Sequence, residues 1–270
     1  MSDESMVFKL PAAANFEVRY YLSDADEVYP SRVFPPHIHD VLEVYLLIEG
    51  DASFMVENNV YALFPGDAVI SKPNEIHNCI LNSPSRHRHA CLWFDASDFF
   101  VSALCNHDFG SDNLISPPSK DKEELIQAVK QAFEAHKEGK KLHEFSLLTR
   151  VLDILSSSAK SAEPLPAAPE VLLKILGDVN ENFRTIESVE SLAEKYYVSH
   201  STLCRMFREY LHTSPQMYLQ TKRLAYSRVL LKEGASVSAA CQQAGFSDYS
   251  NYIRLFRTRF GVTPNKYKQE

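Results

Sequence analysis

The chain has 270 residues, of which 45% are hydrophobic and 23% charged, and its net charge is −7. This length suits two domains, and the composition is that of a globular protein rather than a disordered one. No apolar run reaches the roughly 18 residues of a membrane span, and the N-terminus lacks the pattern of a secretion signal. The five cysteines are scattered without a C-x-x-C pair, which argues against a disulfide or zinc-finger framework and predicts a cytoplasmic protein.

Residues 1–118 have the pattern of a β-domain. Short apolar runs such as FEVRYYL, VLEVYLLIEG and ACLWFD are separated by Gly, Pro, Asn and Asp. Many short strands between turns favour a sandwich or a barrel. The run RHRH at residues 86–89 is expected to form an exposed basic loop.

Within this β-domain, His37, His39, Glu43 and Gly50 follow the spacing H-x-H-x(3)-E-x(6)-G, and His77 lies further along. Residues two apart in an extended strand point the same way, so the two first histidines are expected to face one interior. The pattern resembles the cupin barrel, whose metal sites use this set of side chains. The resemblance implies a site for Zn, Ni, Fe or Mn at His37, His39, Glu43 and His77. The alternative is that these groups line an effector pocket or only support the barrel.

A small barrel can hold one small ligand. Polar groups beside aromatic rings suit a small polar metabolite, for example a sugar. The lone tryptophan, Trp93, is more often a core residue than a ligand-binding one. The predicted effector-binding residues are Arg19, Arg32, His37, His39, Glu43, Tyr45, His77 and Trp93, beside Phe54.

Residues 119–158 show helical periodicity. Apolar residues recur at helical spacing over 120–138 and 143–156, and KEGKK separates the two segments, so we expect a helical hairpin. Its apolar faces would pack onto the strand domain or form a dimer interface, and the two explanations are compatible.

Residues 159–169 are rich in Pro and Ala and are expected to form a linker. The part that follows, 170–270, is expected to be a helical domain. Its predicted helices cover about 170–183, 188–195, 199–211, 215–233, 236–244, 248–260 and 264–268.

The helical domain repeats itself at an offset of 49 residues. Ser199 and Asp248 are equivalent and are good helix N-caps. Arg205 and Arg254 are also equivalent, and Gly245 provides the backbone freedom of a tight turn before the second repeated helix. The apolar faces are expected to consist of Leu203, Met206 and Phe207 in the first copy and Tyr252, Leu255 and Phe256 in the second.

The opposite face of each repeated helix is polar and basic, and such a helix fits the DNA major groove. The charge distribution agrees, because residues 1–164 sum to −11 whereas residues 195–270 sum to +8. Taken alone, this charge would be explained as well by a solvated basic surface. The outward residues are His200, Ser201, Cys204, Arg205, Arg208, Tyr249, Ser250, Asn251, Arg254 and Arg257.

Between the two units, a helix over 215–233 is expected to act as a rigid spacer that holds the two recognition helices about one DNA turn apart, roughly 34 Å. It starts at Pro215, where the missing amide proton costs nothing. Its basic residues are Lys222, Arg223, Arg228 and Lys232.

The stretch SVSAACQQAGFSDYSNYIRLFRTRFGVTPNKYK (236–268) resembles the AraC/XylS family of transcription regulators, and the resemblance covers 170–270. One departure is His212, where the family usually has glycine. The resemblance implies base reading by His200, Ser201, Cys204 and Arg205 in the first unit and by Tyr249, Ser250, Asn251 and Arg254 in the second. It leaves phosphate or surface roles to Arg208, Arg257, Lys222 and Arg223.

We therefore expect a two-domain α+β protein with a cupin-like β-barrel and helical hairpin followed by an all-α double helix-turn-helix. The expected function is sequence-specific transcription regulation, more often activation, in response to a small polar effector. Expected partners are double-stranded DNA, the effector, a second copy of the chain in a homodimer, and RNA polymerase, with no membrane. No catalysis and no required cofactor are expected. The alternatives are a metal-dependent cupin enzyme and, with less support, an RNA-binding protein.

Overall fold

The computed structural model describes residues 6–9, 17–23, 28–30, 32–34, 36–39, 41–57, 59–95, 104, 112–158, 169–211 and 213–269. The chain divides into two compact units, residues 1–34 with 39–165 and residues 35–38 with 166–270. Among the helices described, none is long and apolar enough to cross a membrane.

The first unit is built mainly of antiparallel strands, as the alternation of short apolar runs and turns predicts. The pairing gives a six-stranded sheet in the order β1-β2-β11-β5-β8-β12, a four-stranded sheet in the order β4-β9-β6-β7, and the pair β10-β3. The strands are β1 (Met6–Lys9), β2 (Glu17–Ser23), β3 (Val28–Tyr29), β4 (Arg32–Val33), β5 (Leu42–Glu49), β6 (Ala52–Val56), β7 (Asn59–Leu63), β8 (Ala68–Ser71), β9 (His77–Leu81), β10 (Ser85–Arg86), β11 (Arg88–Phe94) and β12 (Leu114–Ile115).

Strand β5 shows where the core lies, because seven of its eight residues are buried. Tyr45 and Leu47 belong to a cluster shared with Phe54 of the four-stranded sheet, which is the barrel interior. Val44 and Leu46 belong to a second cluster on the opposite face of the six-stranded sheet. A strand that is buried on both faces needs a near-continuous apolar run, and VLEVYLLIEG supplies it.

The second cluster is completed by a helical hairpin, α1 (Ser119–Lys137) and α2 (Lys141–Ser157). Leu125 and Leu148 pack in the same cluster as Leu92 of β11. The buried hydroxyl of Tyr20 donates a 2.8 Å hydrogen bond to Glu144 of α2 and so joins the sheet to the hairpin. Packing of the hairpin onto the strand domain is thus confirmed, whereas the dimer interface stays a prediction.

The second unit is helical, and each helix ends within about one residue of its predicted bounds. Its helices are α3 (Glu170–Asn182), α4 (Val189–Lys195), α5 (His200–Tyr210), α6 (Pro215–Lys232), α7 (Val237–Gln243), α8 (Tyr249–Phe260) and α9 (Pro264–Gln269). The pairs α4–α5 and α7–α8 are the two helix-turn-helix units. The expected fold class, a β-domain followed by a double helix-turn-helix, is confirmed.

Candidate DNA-binding surface and barrel site

The two repeated helices, α5 and α8, begin at side-chain caps, as their sequences predict. The Ser199 hydroxyl accepts a 3.1 Å hydrogen bond from the Thr202 amide, and Asp248 Oδ1 accepts a 3.0 Å hydrogen bond from the Asn251 amide. Each cap satisfies an amide that the first helical turn leaves without a partner, and so it fixes where the helix starts.

One face of each helix is buried, and the opposite face is exposed. The buried set is Leu203, Met206 and Phe207 in α5, and Tyr252 and Phe256 in α8, with Leu255 partly buried. The exposed set is His200, Ser201, Arg205, Arg208, Tyr249, Ser250, Arg254 and Arg257, whereas Cys204 and Asn251 are half-buried.

The two repeated arginines are accessible. The Arg205 side chain is 71% exposed and lies 3.8 Å from Glu209, while Arg254 donates a 2.7 Å hydrogen bond to Asn251 Oδ1. Exposed contacts of this kind contribute at most about 1 kcal/mol, so a base edge can displace them. Cys204 Sγ lies 3.7 Å from His200 Nε2 on the same helix face.

The turns of the two units differ in a way that the repeat did not predict. Gly245 has φ of +86° and Tyr197 has φ of +54°. Tyr197 lies two residues after the end of α4, and Gly245 lies two residues after the end of α7. These residues are 48 positions apart, so the second turn contains one residue more than the first. Tyr197 is 98% exposed, and a tyrosine in the left-handed region gives no sequence signal comparable to glycine.

The expectation that Lys222 and Arg223 of α6 are phosphate contacts or surface charges is wrong. Lys222 is only 5% exposed, and Arg223 Nε donates a 2.9 Å hydrogen bond to the carbonyl of Phe183. Arg228 is 6% exposed, and its guanidinium lies over the rings of Phe260 and Tyr267. These cations hold the helical domain together and are not available to DNA. Of the basic residues predicted on this helix, only Lys232 is exposed. His212 lies outside the described residues.

In the barrel, the structure brings together the four residues of the H-x-H-x(3)-E and His77 pattern. His37, His39, Glu43 and His77 each offer one ligand atom, and these atoms lie within 4.8 Å of one another. Glu43 Oε2 is 2.9 Å from His39 Nε2 and 3.5 Å from His77 Nε2. Three imidazoles and one carboxylate form a donor set that fits a divalent transition metal.

Two of these side chains are held in place by further hydrogen bonds. Trp93 Nε1 donates a 2.7 Å hydrogen bond to Glu43 Oε2. His77 Nδ1 lies 2.9 Å from the carbonyl of Glu75, which orients the ring so that Nε2 faces Glu43. Outer contacts of this type orient metal ligands in proteins.

The electrostatics of the cluster favour a charged pair in the absence of a metal. Burial would raise the pKa of Glu43, but hydrogen bonds from His39 and His77 outweigh it and hold this pKa well below its usual value. Burial would lower the pKa of His77, but the hydrogen bond to Glu43 outweighs it and raises this pKa. The negative charge of the carboxylate stabilises a proton on the neighbouring imidazole, and the same charge would attract a metal cation.

The RHRH run does not form an exposed basic loop, which corrects that expectation. His87 is 3% exposed, and its Nε2 lies 2.9 Å from the Tyr45 hydroxyl. His89 stacks on the Tyr45 ring at 5.2 Å. Burial lowers the pKa of His87 to about 4 and that of His89 to about 3, so both are neutral. The alternation His89, Cys91, Trp93 along one strand was the signal that could have placed them inside.

The remaining predicted effector residues have different environments. Tyr45 and Phe54 are buried and pack with ring centroids 4.6 Å apart. Trp93 is half-buried, with its ring 6.4 Å from that of His39. Arg19 is exposed and is the cross-strand neighbour of Trp93. The side chain of Arg32 lies outside the described residues.

A barrel domain joined to two helix-turn-helix units with exposed basic faces defines a DNA-binding transcription regulator. A model of AraC-like ligand-binding domains matches residues 25–153, and a helix-turn-helix domain model matches residues 192–270. The chain belongs to the AraC family of transcription regulators.

Two curated relatives show the extent of the similarity. The chain is 22% identical over 249 residues to the HTH-type transcriptional activator RhaS of Enterobacter sp. strain 638, covering 89% of each protein. It is 22% identical over 250 residues to the uncharacterized HTH-type transcriptional regulator YdeC of Bacillus subtilis strain 168, covering 87% of this chain and 86% of that one. Among solved structures, the DNA-binding domain of AdpA in complex with a target DNA is 26% identical and has a TM-score of 0.36, covering 37% of this chain and 92% of that chain.

Proposed function

We propose that this protein activates transcription in the cytoplasm when a small polar effector binds in its barrel. The observation that carries the proposal is the polar cluster of the buried Glu43 and His77 and the half-buried His39, in the domain that matches AraC-like ligand-binding domains. Buried polar groups that converge on one point are costly to maintain, and a ligand or ion is the usual reason for them.

Activation is the direction that the relatives favour, because several of them are named transcriptional activators. An activator of this kind would act on RNA polymerase bound at the same promoter. The effector must favour one arrangement of the protein over another, since binding with equal affinity to both arrangements shifts nothing. A sugar is the effector class that the family resemblance implies.

We propose a homodimer that uses the outer side of the α1–α2 hairpin. Leu142 at the start of α2 is 83% exposed, beside Lys141 and His143. Sedimentation of the wild-type chain and of the Leu142→Glu variant tests whether the hairpin forms the dimer interface. A dimer that dissociates in the variant supports the hairpin interface, and a monomeric wild-type chain contradicts it.

We propose that His37, His39, Glu43 and His77 hold a divalent metal, with Zn, Ni, Fe and Mn as the candidates. Such a metal would bind effector oxygens as a Lewis acid. Metal analysis of the purified protein tests this, with His39→Ala and His77→Ala as variants that should lose the metal. Exposed His143→Ala is the control that should retain it.

The alternative, a metal-dependent cupin enzyme, rests on the same four side chains alone and has no support from the relatives, which are named transcription regulators. The regulator hypothesis expects no turnover by the metal-loaded protein. Catalytic turnover of any bound metabolite that is abolished in His77→Ala would favour the enzyme.

A reporter experiment tests the main proposal. Genomic fragments that the full chain binds are placed before a reporter, and expression is measured with a metabolite panel in wild type and in Glu43→Gln. We expect one metabolite to raise expression in wild type only. A response that is the same in both proteins, or no response to any metabolite, would contradict effector control through the barrel.

A further inference from the structure

Four side chains form a row across the six-stranded sheet at the level of the Glu43 cluster. Arg19 is opposite Trp93, Trp93 is opposite Glu43, and Glu43 is opposite Ser71. Directly opposed residues of antiparallel strands project from the same face, and four strands span about 15 Å. Residues two positions further along three of these strands, Tyr45, Val69 and Cys91, lie in the barrel interior, so the row faces that interior.

The carboxylate of this row is already engaged. Glu43 Oε2 accepts a 2.7 Å hydrogen bond from the Trp93 indole and lies 2.9 Å from His39 Nε2. Oε2 of this carboxylate is therefore committed to its neighbours and to the candidate metal.

Ser71, at the other side of Glu43, has the opposite character. Its side chain is buried, with 1% exposure, and no described residue provides a hydrogen-bond partner for its hydroxyl. A buried polar group without a partner is destabilising, and a hydrogen bond to a bound ligand would recover that loss. At the far end of the row, the exposed Arg19 adds a guanidinium with only donors.

The row therefore offers a ligand two hydrogen-bond donors, one of which is a cation. The Ser71 hydroxyl and the Arg19 guanidinium donate hydrogen bonds, and a metal at the histidine–glutamate cluster would accept oxygen lone pairs. A neutral polyol can also bond to these groups, because the Ser71 hydroxyl and Glu43 Oε1 accept hydrogen bonds, but it brings no charge to pair with the guanidinium. A carboxylate brings only lone pairs and a negative charge.

We propose that the barrel ligand is a small carboxylate-bearing molecule that accepts hydrogen bonds from Ser71 and Arg19 above the Trp93–Glu43 pair. The inference rests on the proposed effector function and narrows its ligand class from polar metabolites to organic acids. Trp93 acts as a positioning residue, because its indole keeps Glu43 turned toward the imidazoles.

The probe is malonate, and malonamide is its neutral analogue of the same size. Binding to the full chain is measured by calorimetry and by the fluorescence of Trp93, the only tryptophan, in protein treated with EDTA and in protein reloaded with Zn²⁺. We expect malonate to bind at least about tenfold more tightly than malonamide or xylose, since a hydrogen bond to a charged group is worth about 1.5–3 kcal/mol.

The variants are Arg19→Gln and Ser71→Ala, each expected to weaken malonate binding about tenfold. Arg86→Gln and Ser53→Ala, on other strands, are matched controls that should bind as wild type. Arg19 is exposed, so Arg19→Gln keeps the test valid even if Ser71→Ala unfolds.

Malonamide or xylose binding as tightly as malonate, malonate binding unchanged in Arg19→Gln, or no malonate binding would each overturn the inference. A sugar that binds and changes reporter expression would overturn the carboxylate class while leaving the proposed effector function intact.

Discussion

Arg205 and Arg254 are the two residues on which sequence-specific recognition is expected to depend. Each lies in the first half of a capped helix whose opposite face is buried, and each is held only by an exposed polar neighbour, Glu209 or Asn251. Their exposure could be predicted from the helical period, because the three inward-facing positions of each helix define which of its other side chains point outward. The left-handed backbone of Tyr197 could not be predicted from the sequence, since it depends on the conformation of the turn rather than on the tyrosine side chain.

Gly245→Ala tests the turn of the second unit. A Cβ atom at Gly245 would lie 2.3 Å from the carbonyl oxygen of Arg184, at a φ of +86°. We expect a loss of at least about 2 kcal/mol in the free energy of unfolding, because strain and overlap add. Urea unfolding followed by far-ultraviolet circular dichroism measures it.

The control is Gly177→Ala in α3, where no described atom beyond the chain neighbours and the backbone of the same helix lies within 4 Å of the added Cβ. This substitution should stabilise the domain by roughly 0.5–1 kcal/mol, since alanine favours a helix interior. Equal effects of the two substitutions would contradict the account of the turn.

The buried histidines predict how the stability of the barrel depends on pH. His89 has a pKa of about 3 in the fold, whereas an unfolded histidine titrates near 6.5, so the unfolded state takes up the proton first as pH falls. Stability is full above about pH 6.5 and decreases toward acid, by about 1–2 kcal/mol for this residue between about pH 7.5 and pH 5.

His89→Phe preserves the aromatic stack on Tyr45 and should reduce this pH dependence. Exposed His143→Gln should leave it unchanged. Urea unfolding followed by Trp93 fluorescence reports the barrel alone, because the chain has no other tryptophan. A slope that is identical in His89→Phe and wild type would show that His89 is not buried as a neutral side chain.

Among the elements, α6 is the one whose role differs most from its sequence. A count of basic residues predicts a helix with DNA-facing charges, yet two of the four are buried and a third is half-buried. The partners of Arg228, Phe260 and Tyr267, are more than thirty residues away in the sequence, and no local pattern reveals such contacts. Strand β11 illustrates the same limit, because its start looks basic, and only its pairing with β5 places His89 against the buried Tyr45.

Removal of a buried cation from α6 should therefore affect stability rather than DNA affinity. Arg228→Met is expected to cost about 1–3 kcal/mol, since it removes the contacts with both rings and the 3.2 Å hydrogen bond to the Tyr267 hydroxyl. The salt dependence of DNA binding, measured below the unfolding transition, should not change. Lys232→Met at the exposed end of α6 removes a 5.9 Å contact of its ammonium with the Tyr267 ring and should cost less than about 1 kcal/mol. A reduced salt slope in Arg228→Met would mean that this arginine contacts phosphate.

At the scale of the whole molecule, the charge is divided between the two parts of the chain. Residues 1–164 sum to −11 and residues 195–270 to +8, so one part repels the DNA backbone while the other attracts it. The periodicity of the sequence was sufficient to predict the class of each part, because strands and helices have different periods. The proposed ligand class of the barrel could not be predicted in this way, since it depends on side chains from separate segments that meet only in the fold.

The most direct test of the account is DNA binding by Arg205→Ala and Arg254→Ala. Sites are selected from random duplexes with the full chain, and affinities for selected and random DNA are measured over a range of salt concentrations. We expect each substitution to cost roughly 1–3 kcal/mol on selected sites and to relax base preference at separate positions, with little change on random DNA. Equal losses on selected and random DNA would contradict base reading by α5 and α8.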